Sequence, residues 1–266
     1  MTILDQIIKQ KKIEVKHNKG VFSEHFLKKS TSFSLPCTSL VNRLANNSPG
    51  IIAEFKRKSP SKGWINKEAQ VRNTVCGYES AGASGVSILT DEKFFGGTLE
   101  DIVEAKRDHG LSLPVLRKDF IIDEYQVVES KSWGADVILL IASCLTPEEV
   151  EQLAHKAREL KMEVLLEIHN ENEIGHICEE IDLVGVNNRD LKTFSVDISR
   201  SIDLAPKIPP GKILISESGL NTLDDIILLK DNGFKGFLMG ERFMKAEFPG
   251  EACKEFIKNV KSHNED

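Results

Sequence analysis

Residues 135–168 read ADVILLIASCLTPEEVEQLAHKARELKMEVLLEI, and this stretch holds two apolar runs separated by a polar-faced segment. The runs 135–141 and 162–168 have the length and composition of buried strands. Between them, residues 147–160 have helical spacing, and Thr146 with Glu149 is a pairing typical of a helix N-terminus. Strand, helix and strand in this order predict a parallel βαβ unit.

The same alternation recurs on both sides of this stretch, from residue 51 to the C-terminal part of the chain. Further helices are predicted at 101–109, 123–132 and 223–231. The predicted strands are residues 51–56, 85–90, 114–118, 135–141, 162–168, 183–187, 212–217 and 236–239. Eight strands with intervening helices predict an α/β fold, a closed (β/α)8 barrel of the TIM type. The main alternative is an open doubly wound sheet, but its dinucleotide-binding form needs a Gly-x-Gly-x-x-Gly turn, which the sequence lacks.

The first 50 residues precede the barrel and have their own pattern. Ile3, Leu4, Ile7 and Ile8 recur at helical spacing, which predicts an N-terminal helical extension, residues 1–50, that packs on a catalytic barrel formed by residues 51–266. The lysine-rich stretch 9–19 is interpreted as a solvated helix face.

Charge and hydropathy narrow the possible partners. The formal charge of −6 and the pI near 5.7 argue against nucleic acid or an anionic membrane as a partner, because phosphate would be repelled overall. An anionic small molecule would therefore need a local basic site. The sequence has no apolar run long enough to span a bilayer, and it begins without the pattern of a signal peptide, so a cytoplasmic location is expected.

The cysteines and histidines do not suggest a metal centre. The five cysteines have no CxxC spacing, and the seven histidines form no HExxH motif. We therefore predict no metal site and interpret His176 and Cys178 as ordinary residues of a short helix.

Charged and amide residues stand where several predicted strands end. Glu54 and Lys56 lie on one face of the first strand by alternation. The third, fifth, sixth and seventh strands end in Lys118, Glu167, Asn187 with Arg189, and Glu217 with Ser218. In a barrel these ends converge at one mouth, where burying so many charges is costly unless they pair or bind a ligand. The sequence therefore predicts an active site there.

Glycines after the last two strands suggest a phosphate site. Gly219 follows the seventh strand, and Gly240 with Glu241 follows the eighth. Barrels often bind phosphate in these loops through backbone N–H groups. With Lys56 and Ser59 from the first loop, these residues form a candidate phosphate cradle.

Several motifs together resemble the indole-3-glycerol phosphate synthase family. They are EFKRKSPSKG at 54–63, LRKDF at 116–120, GVNNRDL at 185–191, SESG at 216–219 and GE at 240–241, in family order. The resemblance implies conversion of 1-(2-carboxyphenylamino)-1-deoxyribulose 5-phosphate to indole-3-glycerol phosphate, with loss of carbon dioxide and water, in tryptophan biosynthesis. It implies no cofactor. We expect a monomer, with a pathway-enzyme partner as an option.

The resemblance also assigns roles to the candidate residues. Lys118 would be the ring-closing acid, Glu167 an acid–base group, and Lys56 a ligand of the substrate carboxylate with Glu54 as its partner. Which lysine acts in which proton transfer stays open. The remaining assignments are substrate orientation by Asn187, Arg189, Glu217 and Ser218, a phosphate cradle from Lys56, Ser59, Gly219, Gly240 and Glu241, and an apolar wall from Phe95, Phe120, Leu139 and Leu191.

Three alternatives remain. Leu139 could equally be ordinary barrel core. The chain could be another phosphate-binding barrel, such as phosphoribosylanthranilate isomerase, which would lack the constellation of Lys56, Lys118 and Glu167. It could also be a non-catalytic barrel that only binds a phosphorylated metabolite, in which the acid–base residues would be lost.

Overall fold

Eight parallel strands form a closed barrel in the computed structural model, which describes residues 2–107, 110–190 and 193–263. The strands are β1 Gly50–Phe55, β2 Gly85–Leu89, β3 Val115–Lys118, β4 Val137–Ile141, β5 Glu163–Ile168, β6 Leu183–Asn187, β7 Ile213–Glu217 and β8 Phe234–Met239. Each strand pairs with its neighbours in chain order, and β8 closes on β1. The predicted (β/α)8 barrel is confirmed, with every strand close to its predicted limits.

Helices surround the barrel. In the described residues they are α1 Ile3–Val21, α2 Glu24–Leu27, α3 Leu40–Asn46, α4 Val71–Ser80, α5 Glu92–Phe95, α6 Leu99–Arg107, α7 Glu124–Trp133, α8 Pro147–Glu159, α9 Ser199–Leu204, α10 Leu223–Asp231, α11 Glu241–Met244 and α12 Pro249–Ser262, with 3-10 segments at Thr31–Ser34, Ala142–Cys144, Glu171–His176 and Ala205–Lys207. The predicted helix end at His109 lies outside the described residues.

Two features differ from the predictions. The crossover from β5 to β6 carries the 3-10 segment Glu171–His176, so His176 lies in a short helix as expected, whereas Cys178 lies beyond its end. An antiparallel pair, Lys58–Ser59 with Gly63–Trp64, forms a small hairpin after β1 that was not predicted. Strands this short have too few residues to show an alternating pattern.

Capping residues explain where the predicted helices begin. The Thr146 hydroxyl accepts a hydrogen bond from the Glu149 backbone N–H at 3.2 Å, and the Glu149 carboxylate accepts one from the Thr146 N–H at 2.8 Å. Thr222 and Asp225 form the same reciprocal pair at the start of α10. Each pair satisfies backbone donors that a helix N-terminus otherwise leaves free.

The N-terminal end of the barrel is closed by α3. Its residues Leu40 and Leu44 are buried among the inner leucines and isoleucines of the strands. Glycines make room for them, because a Cβ on Gly50 would lie 2.4 Å from Leu44 Cδ2, and one on Gly85 would lie 2.8 Å from Leu40 Cδ1. The opposite end of the barrel therefore remains for a ligand.

Helix α1 packs over that opposite end through a buried lysine. Lys11 Nζ lies 3.1 Å from Asp91 Oδ2 and 2.9 Å from Asp119 Oδ1, and Lys11 is only 4% exposed. The interpretation of residues 9–19 as a solvated face is therefore wrong for Lys11. Its neighbours Lys9 and Lys12 are exposed. The two aspartates that bury Lys11 come from distant loops after β2 and β3, which explains why a local pattern could not identify it.

Candidate active site

A cavity of about 390 Å³ opens at the C-terminal ends of the barrel strands. Most of the sequence-predicted site residues line it. They are Glu54, Lys56, Ser59, Phe95, Lys118, Phe120, Leu139, Glu167, Asn187, Arg189, Glu217, Ser218, Gly219, Gly240 and Glu241. The remaining one, Leu191, lies outside the described residues. The closed barrel thus brings together residues that are far apart in the chain.

Lys118 lies between two carboxylates at the centre of the mouth. Its Nζ is 2.6 Å from Glu167 Oε2 and 3.1 Å from Glu217 Oε2. Burial opposes the charged form, but the attraction of Glu167 and Glu217 outweighs it and raises the pKa of Lys118 well above its usual range. The side chain is therefore an ammonium group in the free protein.

Arg117 precedes Lys118 in the chain but does not line the cavity. Because side chains alternate along a strand, Arg117 points outward from β3 toward α7. There its guanidinium contacts Asp119 at 2.9 Å and Glu129 at 3.0 Å. Arg117 is thus part of the packing between barrel and helix, and Lys118 is part of the site.

Glu167 is surrounded by donors and cations. Its Oε1 accepts a hydrogen bond from Asn187 Nδ2 at 3.1 Å and lies 3.2 Å from His169 Nε2. Burial favours the neutral carboxyl, but Lys118 and His169 together hold the pKa of Glu167 well below its usual range. Glu167 is accordingly an ionised carboxylate in the free protein. Sequence reasoning missed His169, although it follows Glu167 at the two-residue interval that places both on one face of an extended chain.

The pKa of Glu217 is shifted in the opposite direction from that of Glu167. Burial raises the pKa of Glu217 to about 7, with Lys118 opposing the shift and Glu167 adding to it. Its Oε1 has no hydrogen-bond partner among the described residues. The same atom lies against the backbone of Gly185, where an added Cβ would be only 2.2 Å away. Glu217 is therefore held between Lys118 and the backbone of β6.

Lys56 and Glu54 form a second ion pair at 2.5 Å. Glu54 is buried, and the Lys56 side chain is 20% exposed toward the cavity. Gly240 packs directly on this pair, because its Cβ would lie 2.7 Å from Glu54 Oε1. A glycine at this position is therefore required by the fit to Glu54.

The loops after β7 and β8 border the cavity with unusual backbone geometry. Ser218 and Gly219 have φ values of 66° and 79°, and a Cβ on Gly219 would lie 2.2 Å from Val196 Cγ1. Two basic residues that sequence reasoning did not single out, Lys62 and Arg242, also line this end of the cavity. The basic character expected of a phosphate site is therefore present there.

The acidic side chain of Glu241 is neutralised locally. It pairs with Lys62 and, at 2.6 Å, with Lys245. Although burial opposes the charge, these lysines lower the pKa of Glu241 to about 2. The carboxylate beside the expected phosphate site is thus offset by two ammonium groups.

An apolar wall closes one side of the cavity. The Phe95 and Phe120 ring centroids are 6.1 Å apart, and Leu139 both lines the cavity and packs with the inner barrel leucines. Ile3, Leu4 and Ile7 of α1 add apolar surface. Their spacing predicted a buried helix face, but nothing in the sequence indicated what that face covers.

Arg189 is tied to its own loop. Its backbone N–H donates to Asn187 Oδ1 at 3.0 Å, and its Nη1 donates to the Phe194 carbonyl oxygen at 3.3 Å. Arg189 lines the cavity at the same time. Arg189 can therefore present further N–H donors to a ligand.

A metal cluster and a membrane-spanning helix are both absent from the described residues. Within residues 2–107, 110–190 and 193–263, no cluster of three or more histidine, cysteine or acidic side chains is arranged to hold a metal ion. None of the helices in those ranges is long and apolar enough to cross a membrane. The five cysteines are free thiols.

Comparisons with known proteins give a consistent result. A family model described as indole-3-glycerol phosphate synthase matches residues 4–256. The indole-3-glycerol phosphate synthase of Bacteroides thetaiotaomicron is 47% identical over 258 residues, which cover 97% of this chain and 98% of the relative. The one from Neisseria meningitidis is 40% identical over 251 residues, covering 92% and 95%. A solved chain described as "Native KDPGal structure" shares the fold, with a TM-score of 0.58 at 16% identity, covering 83% of this chain and 97% of that chain.

Proposed function

The chain belongs to the indole-3-glycerol phosphate synthase family, the carboxy-lyases of tryptophan biosynthesis, and we propose that Lys118, Glu167 and Glu217 form its catalytic centre. Members of the family bind 1-(2-carboxyphenylamino)-1-deoxyribulose 5-phosphate, a phosphorylated substrate. The observation that carries the proposal is the position of Lys118, whose Nζ lies between the carboxylates of Glu167 and Glu217 at 2.6 and 3.1 Å in the cavity.

Ring closure is the first step that needs an acid. The substrate ring carbon that bears the carboxylate attacks the ribulose carbonyl carbon, and a new carbon–carbon bond forms while negative charge develops on the carbonyl oxygen. Lys118 donates a proton to this oxygen, which becomes a hydroxyl. The bond to the carboxylate then breaks, carbon dioxide leaves, and the electron pair restores the aromatic ring.

Dehydration completes the indole. The hydroxyl takes a proton from an ammonium group and leaves as water, while a base removes a proton from the new ring to form the double bond. Glu167 is ionised and is the base of this step. Lys118 and Lys56 both line the cavity and are the two candidate donors to the hydroxyl. Glu217, which lines the cavity beside Lys118, orients the substrate hydroxyls.

The substrate's two anionic groups bind to different sets of residues. Lys56 binds the carboxylate, and Glu54 fixes the Lys56 ammonium group. The anthranilate ring packs against Phe95 and Phe120. The phosphate binds at the loops that contain Ser59, Gly219 and Gly240, where Lys62 adds positive charge beyond the residues predicted from the sequence. Such loops offer backbone N–H groups to an anion.

An assay of the purified protein tests this function. The synthetic substrate, incubated with the protein and a chelator, should yield indole-3-glycerol phosphate, which is detected by its indole fluorescence. Full activity after chelation is the expected result because protein side chains supply every proton transfer. Activity that vanished with chelator and returned with zinc or magnesium would contradict the metal-free mechanism, and no product under any condition would contradict the function.

We further propose that the protein acts as a monomer in the cytoplasm. The five free thiols are compatible with a reducing compartment. Sedimentation at working concentration tests the oligomeric state, and a stable dimer would contradict it.

A further inference from the structure

His169 lies immediately beyond β5 and between two carboxylates. Its Nε2 is 3.2 Å from Glu167 Oε1, and its Nδ1 is 3.4 Å from Glu173 Oε2. Its backbone N–H also donates to Glu173 Oε2 at 2.6 Å. His169 is only 8% exposed, so both its ring and its backbone are held by one acidic residue of the 3-10 segment Glu171–His176.

The groups around His169 leave Glu167 little freedom. Oε2 of Glu167 contacts Lys118 at 2.6 Å, whereas Oε1 contacts Asn187 and His169. Cys144, at the end of the 3-10 segment Ala142–Cys144, interacts electrostatically with both Glu167 and Glu173. Burial and these carboxylates raise the pKa of the Cys144 thiol to about 12, so the thiol is neutral. The charged groups that determine the state of His169 are therefore Glu167, Glu173 and, through Glu167, Lys118.

We propose that His169, held by Glu173, is a positioning residue that keeps the Glu167 carboxylate ionised and oriented for the proton transfers of the reaction. The inference rests on the proposed role of Glu167. Its physical basis is that a buried ionised carboxylate is costly unless opposite charge and hydrogen bonds compensate it. Lys118 supplies positive charge at Oε2, whereas the Asn187 amide donates to Oε1 without a charge. His169 supplies it on the other side, with Glu173 fixing the orientation of the imidazole ring.

The protonation of His169 gives the proposal a measurable consequence. Burial disfavours the imidazolium, but Glu167 and Glu173 raise the pKa of His169 to about 9. At neutral pH the ring is charged, and above pH 9 it loses the charge that holds Glu167. We therefore expect kcat to fall on the alkaline side as His169 deprotonates.

His169→Gln keeps a polar side chain of similar length and removes the charge. We expect kcat to fall by about 10- to 100-fold with a smaller change in KM. The reason is that displacing a catalytic group destabilises the transition state more than the bound substrate. We also expect the alkaline decline of kcat near the His169 pKa to disappear. His176→Gln is the matched control, because the hydrogen bonds of the His176 ring are to the backbone oxygens of Glu173 and Leu145 rather than to the Glu167 carboxylate. It should leave kcat and the pH profile unchanged.

Glu173→Gln provides a second test, which does not depend on whether the His169→Gln variant folds. The amide still accepts the His169 backbone N–H but no longer stabilises the imidazolium, so the alkaline decline should move to lower pH. An NMR titration of the His169 ring in the free protein should show the same displacement. A wild-type kcat and pH profile in His169→Gln would overturn the proposal, as would an NMR pKa of His169 at or below its usual 6.5.

Glu167→Gln distinguishes this inference from the proposed function. If Glu167→Gln loses activity while His169→Gln keeps it, only the role of His169 is overturned. If Glu167→Gln remains fully active, the proposed function of Glu167 fails first and the role of His169 fails with it.

Discussion

The backbone of Gly240 packs directly against the Glu54 side chain, so that a Cβ at position 240 would lie 2.7 Å from Oε1 and 2.8 Å from Cβ of Glu54. Glu54 in turn holds Lys56 at 2.5 Å. The phosphate loop and the first-strand ion pair are therefore mechanically connected. We expect a change in this loop to displace Lys56.

Gly240→Ala should displace Glu54 and, through it, Lys56. We expect kcat to fall by about 100-fold and the affinity for the product to fall as well, because a misplaced ligand group costs both binding and orientation. Steady-state kinetics and calorimetry with the product measure the two effects. Gly20→Ala, at an exposed position with open space around it, is the control and should behave like the wild type. Wild-type kinetics in Gly240→Ala would show that the connection has no functional role.

Lys11→Met should destabilise the protein and weaken substrate binding. The change leaves Asp91 and Asp119 buried without their shared cation, and breaking such a buried pair costs about 3–5 kcal/mol of unfolding free energy. Because Ile3, Leu4 and Ile7 on the same helix line the cavity, KM should rise. Urea denaturation and steady-state kinetics measure these changes. The exposed Lys12→Met provides the control, and equal stability of the two variants would contradict the buried role of Lys11.

Glu217→Gln should change how stability depends on pH. The pKa of Glu217 is raised from 4.5 to about 7, so the folded protein retains a proton that the unfolded chain releases in this interval. The associated stability is fully present below pH 4.5 and is lost as the pH rises through 7. Glutamine cannot titrate, so the fall in unfolding free energy across this window should be smaller in the variant. Urea denaturation on either side of the window measures it, and equal falls in both proteins would refute the shift.

The fold was predictable because its signals are local. Each strand is an apolar run with its own turn residues, and a cap such as Thr146 with Glu149 acts within one helix turn. The convergence of Lys118, Glu167 and Glu217 also followed from sequence, since parallel strands of a barrel must end at a common mouth.

The missed features depend on contacts between distant segments. The burial of Lys11 is decided by two aspartates from other loops, and the need for glycine at position 240 is decided by Glu54 on another strand. His169 is an intermediate case. Its position two residues after Glu167 gave a usable signal, but its partnership with Glu173 depends on the 3-10 segment that follows β5.

The kinetics of Lys118→Met and Lys118→Arg test the central claim, that Lys118 is the acid of ring closure, most directly. Methionine keeps much of the side-chain volume and removes the proton donor, so kcat should fall by about 10²–10⁴-fold while KM changes much less. Arginine keeps the charge beside Glu167 and Glu217 but gives up its proton reluctantly, and should restore little activity. Circular dichroism should confirm that both variants are folded. An arginine variant with nearly wild-type kcat, together with a methionine variant that mainly raises KM, would contradict the account and make Lys118 an electrostatic clamp.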